Sequence, residues 1–162
     1  MDSMDVLIEL AEQTKDKEMF VQIGNAFMTG NDVKKSITRA ITFYEKAAAL
    51  GSADAKTTLG RIYYYGQGVP KNCKVAKQYL KEAVDQGSVL ALVYLGWMCY
   101  NNDYGWLSGR GKAFDFWQKA AKLGNAESQR NIAYSYLTEE WGAEKSYKKA
   151  AFWFMCSYQN TQ

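Results

Sequence analysis

One small motif returns along this chain at a nearly constant stride. Gly24, Gly60, Gly96 and Ala133 follow one another at 36, 36 and 37 residues, each preceded by Ile or Leu. Gly51, Gly87 and Gly124 form a second set at 36 and 37 residues. Two independent landmarks sharing one interval mark stacked supersecondary units, whose neighbours share a continuous core. Arrays of that kind present a surface that holds another molecule more readily than they close a catalytic pocket.

The units read as helical. Apolar residues recur at helical spacing, as in Ala55, Leu59, Ile62 and Tyr63, then Ala76, Tyr79, Leu80, Ala83 and Val84. Gly66-Gln67-Gly68 and Gln86-Gly87-Ser88 interrupt these stripes as turns, and Pro70 is the sole proline. The pattern predicts helices over 3–14, 17–29, 34–50, 53–65, 73–86, 89–100, 111–123, 126–138 and 145–158. The expected fold is all-α, one domain over 1–162: a capping helix at 3–16 and helix-turn-helix repeats at about 17–52, 53–88, 89–125 and 126–162. A glycine inside a helix costs about 1 kcal/mol relative to alanine, so Gly24, Gly60 and Gly96 call for close helix approach. Bulky partners stand ready in the second helices: Phe43 and Tyr44, Tyr79 and Leu80, Phe116 and Trp117, Trp153 and Phe154. Ser157 and Tyr158 replace the earlier alanines, the departure expected of a terminal repeat.

These residues resemble the Sel-1-like repeat family, relatives of the tetratricopeptide repeats. Its pattern is met by Ala55, Leu59-Gly60, Tyr63, Gly66, Gly68-Val69, Ala76, Tyr79, Ala83 and Gly87, and again by Ala91, Leu95-Gly96, Gly105, Lys112-Ala113, Trp117, Ala120-Ala121 and Gly124. The outer units match more loosely. Phe27 replaces the tyrosine, and Trp106 and Ala143 stand in the place of Val69. The resemblance implies a right-handed α-solenoid that contacts other proteins, with members serving as adaptors, scaffolds, signalling components and bacterial immunity proteins.

In related arrays the first helix of each unit lines the concave face. Positions three before and one and four after the packed glycine then face a partner: Val21, Asn25 and Met28; Thr57, Arg61 and Tyr64; Val93, Trp97 and Tyr100; Arg130, Tyr134 and Leu137. Tyr, Trp and Arg dominate binding hot spots. Trp97 and Tyr100 either fold over a neighbouring helix and serve the core or line an aromatic groove; the groove is the preferred reading. Tyr104, Trp106 and Trp141, in the loops of the third and fourth units, are weaker contact candidates; for Trp106 the preferred reading is that it tucks back as the Val69 counterpart, and Trp141 invites the same two readings.

Chemistry is not expected. The chain has no histidine, which removes the commonest general base and metal ligand. Cys73, Cys99 and Cys156 are three scattered thiols with no C-x-x-C spacing. Gly109-Arg110-Gly111-Lys112 lacks the glycine spacing and following Ser/Thr of a phosphate loop, and Glu139-Glu140 reads as solvated charge. No catalytic residue, metal or cofactor is therefore assigned. A net charge of +3 is too small for a polyanion-binding stripe, and Asp54, Glu127, Glu139 and Glu140 near the groove argue further against nucleic acid. Acidic residues at the N-terminus and the short apolar run Val6–Ile8 do not fit a secretory signal, and no membrane span is expected. The expectation is a cytoplasmic, non-catalytic protein-binding solenoid. Its most specific form is a bacterial immunity protein occluding a cognate toxin, and its rival is an adaptor bridging two proteins. Oligomeric state stays open.

Overall fold

Seven of the nine predicted helices begin within one residue of their expected starts, and five of those starts are fixed by a capping side chain. The computed structural model describes residues 3–105 and 109–160. Among these, the secondary structure is helical throughout, with nine α-helices, one short 3-10 turn and no strand. The helices are α1 (Ser3–Thr14), α2 (Lys17–Thr29), α3 (Ile37–Ala49), α4 (Ala53–Tyr65), α5 (Cys73–Asp85), α6 (Val89–Tyr100), α7 (Arg110–Lys122), α8 (Ala126–Thr138) and α9 (Tyr147–Gln159), with the 3-10 turn at Glu140–Gly142.

Side-chain oxygens of Asp16, Ser36, Ser52, Asn72, Ser88, Asn125 and Ser146 accept a backbone N–H two or three residues on, opening seven helices. Two expected starts are corrected by these caps. Ser36 and Ser146 hold α3 and α9 back to Ile37 and Tyr147, leaving Lys34, Lys35 and Lys145 outside.

The chain divides into two compact units, one up to Gly87 and one from Ser88. In the first, α1 packs on α2, and α2 to α5 follow as two hairpins joined through α3 and α4. Phe20 and Phe27 stack on Phe43 at 6.3 and 5.7 Å, with Ile23, Tyr44, Leu59 and Ile62 buried beside them. The cap helix contributes buried Ala11, with Met4, Leu7 and Ile8 against the same core. In the second unit α6 pairs with α7 and α8 with α9, joined through α7 and α8 around buried Leu95, Met98, Trp117 and Ile132.

The repeated small residues mark helix contacts tighter than a methyl group allows. A Cβ on Gly24 would lie 2.7 Å from the Tyr44 ring, on Gly60 2.5 Å from Leu80, and on Gly96 2.3 Å from Trp117. Gly51, Gly87 and Gly124 are kept for a different reason: their φ of 83°, 88° and 89° lies in the left-handed region, with open space around each.

Candidate protein-binding surfaces

Each unit carries its own set of predicted contact residues. The position just after the packed glycine stays at least partly accessible in every repeat, at Asn25, Arg61, Trp97 and Tyr134. The positions three before and four after it do not behave uniformly. Tyr64 and Val93 are only 3% and 2% exposed and leave the contact set; Thr57 is buried as well. The physical reason in the first unit is that α4 meets both α3 and α5, so its buried arc is wider than a single hairpin partner would require. Tyr64 instead packs on Tyr65 at 4.8 Å. Val93 lies one turn before Trp97, and its carbonyl accepts a 3.4 Å hydrogen bond from the Trp117 indole.

In the first unit the accessible residues just after the packed glycines are polar, Asn25 and Arg61. The Tyr44 hydroxyl donates to Asn25 Oδ1 at 2.7 Å, and Arg61 Nη1 donates to Gln67 Oε1 at 2.9 Å. Burial raises the Tyr44 phenol above the ordinary 10.0, outweighing the opposing pull of nearby Arg61, so the hydroxyl keeps its proton. Met28, half-buried, is the apolar member of this patch.

The second unit gathers aromatics. Trp97 lies edge-on to Trp117 with ring centroids 4.9 Å apart, and Trp117 to Trp141 at 5.0 Å. Tyr100 sits between them, 5.7 Å from both Trp97 and Trp141. Trp117 is wholly buried, while Trp97, Tyr100 and Trp141 are half-buried over it. The two readings of Trp97 therefore combine: it roofs a core indole and stays partly accessible. Its Nε1–H donates to Glu127 at 3.0 Å, which fixes the ring. The Arg110 guanidinium stands 6.0 Å from the Tyr100 centroid. Such rigid, amphipathic side chains suit recognition at little entropic cost.

Trp141 adds a strained element. Its backbone is left-handed (φ 63°, ψ 20°), an outlier for a bulky residue, and its buried indole N–H has no hydrogen-bond partner among the described residues. Of the other candidates, Arg130 is exposed and Tyr134 is 52% exposed with its ring against Phe154 at 5.2 Å. Tyr104 is corrected to a core residue: it is 8% exposed, 5.8 Å from Phe116, and burial raises its phenol. Trp106 lies outside the described residues. Arg110 is an unexpected member of the site, and Glu127, expected only as a charge near the groove, is the acceptor of the Trp97 indole. The signal in the sequence was that an indole N–H near the surface needs an acceptor, and Glu127 has the register of a first-turn residue in the following helix.

Among the described residues no cluster of Cys, Asp and Glu could hold a metal ion. No described helix is long and apolar enough to cross a membrane. Cys99 is buried, as expected of a small hydrophobe, and Cys73 and Cys156 are partly so.

Helical hairpins of constant length, joined by left-handed glycine turns and keyed by glycine against an aromatic or leucine, define a helical repeat protein. The chain belongs to the Sel1 repeat family: the Sel1 repeat model matches residues 21–52, 53–88, 89–125 and 126–158. It is similar to a sel1-like repeat-containing protein of Acanthamoeba polyphaga mimivirus, at 30% identity over 58% of this chain and 17% of the relative. An ERAD-associated E3 ubiquitin-protein ligase component of Arabidopsis thaliana is 30% identical over 43% of this chain and 10% of its own length. The chain thus spans under a fifth of these relatives. Among solved structures, a protective antigen of uropathogenic Escherichia coli matches with a TM-score of 0.88 at 22% identity, over 99% of this chain and 34% of that one. A Sel1 repeat protein from Oxalobacter formigenes gives 0.86 at 26%, over 97% and 63%. An immunity protein from Pseudomonas aeruginosa gives 0.55 at 18%, over 97% and 73%. Proteins of this family are in general protein-interaction scaffolds.

Proposed function

We propose that this chain is a non-catalytic binding module that grips one protein partner, and that the partner is a toxin which it neutralises. The observation carrying this reading is the aromatic shelf of Trp97, Tyr100 and Trp141, half-open over buried Trp117 and flanked by Arg110. A shelf held by ring contacts below and by Glu127 at its edge is already organised for binding, so little entropy is lost on contact. The toxin assignment draws support from the fold shared with the Pseudomonas aeruginosa immunity protein.

The test is co-expression with candidate toxins, scored as growth rescue, followed by titration calorimetry on the purified pair. Trp97→Ala should weaken binding at least about tenfold, as hot-spot truncation does. Trp97→Phe, which keeps the ring over Trp117 but loses the N–H to Glu127, should fall between. Unchanged affinity for both variants sinks the shelf as the contact.

A second reading, an adaptor bridging two proteins, is favoured by one specific observation. The two compact units carry chemically different surfaces, polar around Asn25 and Arg61 and aromatic around Trp97. The ubiquitin-ligase component among the relatives agrees with a role in assemblies. Arg61→Ala and Trp97→Ala discriminate: they weaken the same complex if one partner spans both surfaces, and different complexes if the chain is an adaptor.

A further inference from the structure

The outward face of α9 breaks a rule that the other repeats obey. In register with Phe152, the second helices of the earlier repeats carry Thr42, Gln78 and Asp115, all exposed; in register with Met155 they carry Glu45, Lys81 and Gln118. Only the last repeat places large apolar side chains there, with Phe152 58% and Met155 65% exposed. Tyr147, 68% exposed, and exposed Ala151 lie on the same side, within roughly 140° of arc. The register also says what such a face receives. In α3 the residues matching Ala151 and Tyr158, Ile41 and Ala48, are buried in the unit where α4 packs on α3, and in α7 Phe114, matching Ala151, meets Tyr136 of α8 at 5.9 Å. The flank of Ala151 and Tyr158 is thus the one that takes a following helix in earlier repeats, whereas the positions of Phe152 and Met155 stay accessible there, so a following helix would not cover these two.

The geometry points to a second copy of this chain as the occupant, with α9 packed antiparallel on α9 across a two-fold axis. Taking roughly 200 Å² for a large side chain, the exposed parts of Tyr147, Phe152, Met155 and Tyr158 come to about 500 Å² per copy. A specific interface needs about 800 Å² per partner, and Lys148, Ala151 and Gln159 on the same face supply polar and small surface to approach it. The face is self-complementary in that arrangement. A two-fold axis at the middle of the helix sets Phe152 on the second copy's Met155, an aromatic–thioether contact. It also sets Lys148, near the N-terminus of one α9, by the C-terminal carbonyls of the other, where a cation is favoured, and it holds like charges at opposite ends. Such a contact is isologous and closes at two chains. It uses none of the residues of the aromatic shelf, so its failure and that of the toxin reading are separable.

Sedimentation equilibrium of the full chain across roughly 1–200 µM tests it, a range wide enough for the weak association expected of a small interface. The expected result is a reversible dimer of twice the 18.4 kDa chain. The Phe152→Glu/Met155→Glu variant should stay monomeric over the whole range, a loss of at least tenfold in association, with its far-ultraviolet circular dichroism unchanged. Gln78→Glu, at the matching register of α5, should dimerise like the parent. A parent chain monomeric throughout, as when a different protein or further polypeptide covers this face, overturns the proposal. So does a dimer that survives the double substitution.

Discussion

At the scale of single residues, three glycines and their bulky partners fix how closely the paired helices approach. The tightest is Gly96, whose missing Cβ leaves room for the Trp117 indole at what would be 2.3 Å. Gly96→Ala cannot be absorbed by a flexible chain end, because Trp117 is wholly buried and also donates to the Val93 carbonyl. The expected cost is about 1–3 kcal/mol of overpacking, read as a lower denaturant midpoint at unchanged slope. An unaltered midpoint would mean that α6 and α7 do not touch as described. The sequence carried this contact openly, since a glycine recurring inside successive helices at one register costs stability unless a neighbour needs the space. It did not carry the burial of Tyr64 and Val93. Burial at Tyr64 depends on α4 being covered by both α3 and α5, which no single-helix pattern contains. Trp97 was legible only by half, because its register placed it beside the core stripe without saying that Trp117 would reach beneath it.

Among the elements, α4 and α5 show what joins a hairpin besides its apolar seam. Lys56 Nζ lies 2.9 Å from Glu82 Oε2, linking the two helices. The hydrogen bond from Lys56 holds the Glu82 carboxyl below the ordinary value of 4.5 against the opposing effect of burial. A carboxyl lowered in the folded state contributes stability above its unfolded value and loses it as pH falls through the folded one. Acidification below about pH 4.5 should therefore loosen this hairpin, and Glu82→Gln should melt lower than the parent near pH 7 and converge with it in acid, shrinking the acid dependence. Thermal melts at pH 3 to 7 check it; identical profiles for parent and variant would show that the pair contributes nothing to acid stability. Glu12, whose carboxyl is lowered chiefly by Lys46, joins α1 to α3 in the same manner. Element boundaries were readable because Ser, Asn and Asp caps stand at nearly every helix start. Even the two misplaced starts, of α3 and α9, had a serine that marked them.

On the scale of the whole molecule, the division at Gly87 and Ser88 carries the main consequence. Repeat arrays draw stability from each unit and from its nearest neighbours, with little long-range cooperation. Residues 1–87, with their own cap helix and phenylalanine stack, should keep a helical circular dichroism spectrum when expressed alone, though melting below the full chain. A disordered spectrum for that fragment would show that the unit borrows its stability from elsewhere. The period announced four repeats but not this division, because the spacing landmarks are equally kept on both sides of it. The indole row of Trp97, Trp117 and Trp141 has one more consequence. Three chromophores with centroids about 5 Å apart in succession exchange excitation energy, so their near-ultraviolet signal belongs to the row and not to any single ring. A ligand settling on Trp97 alone would perturb that shared transition, giving the chain a native, label-free optical reporter of occupancy.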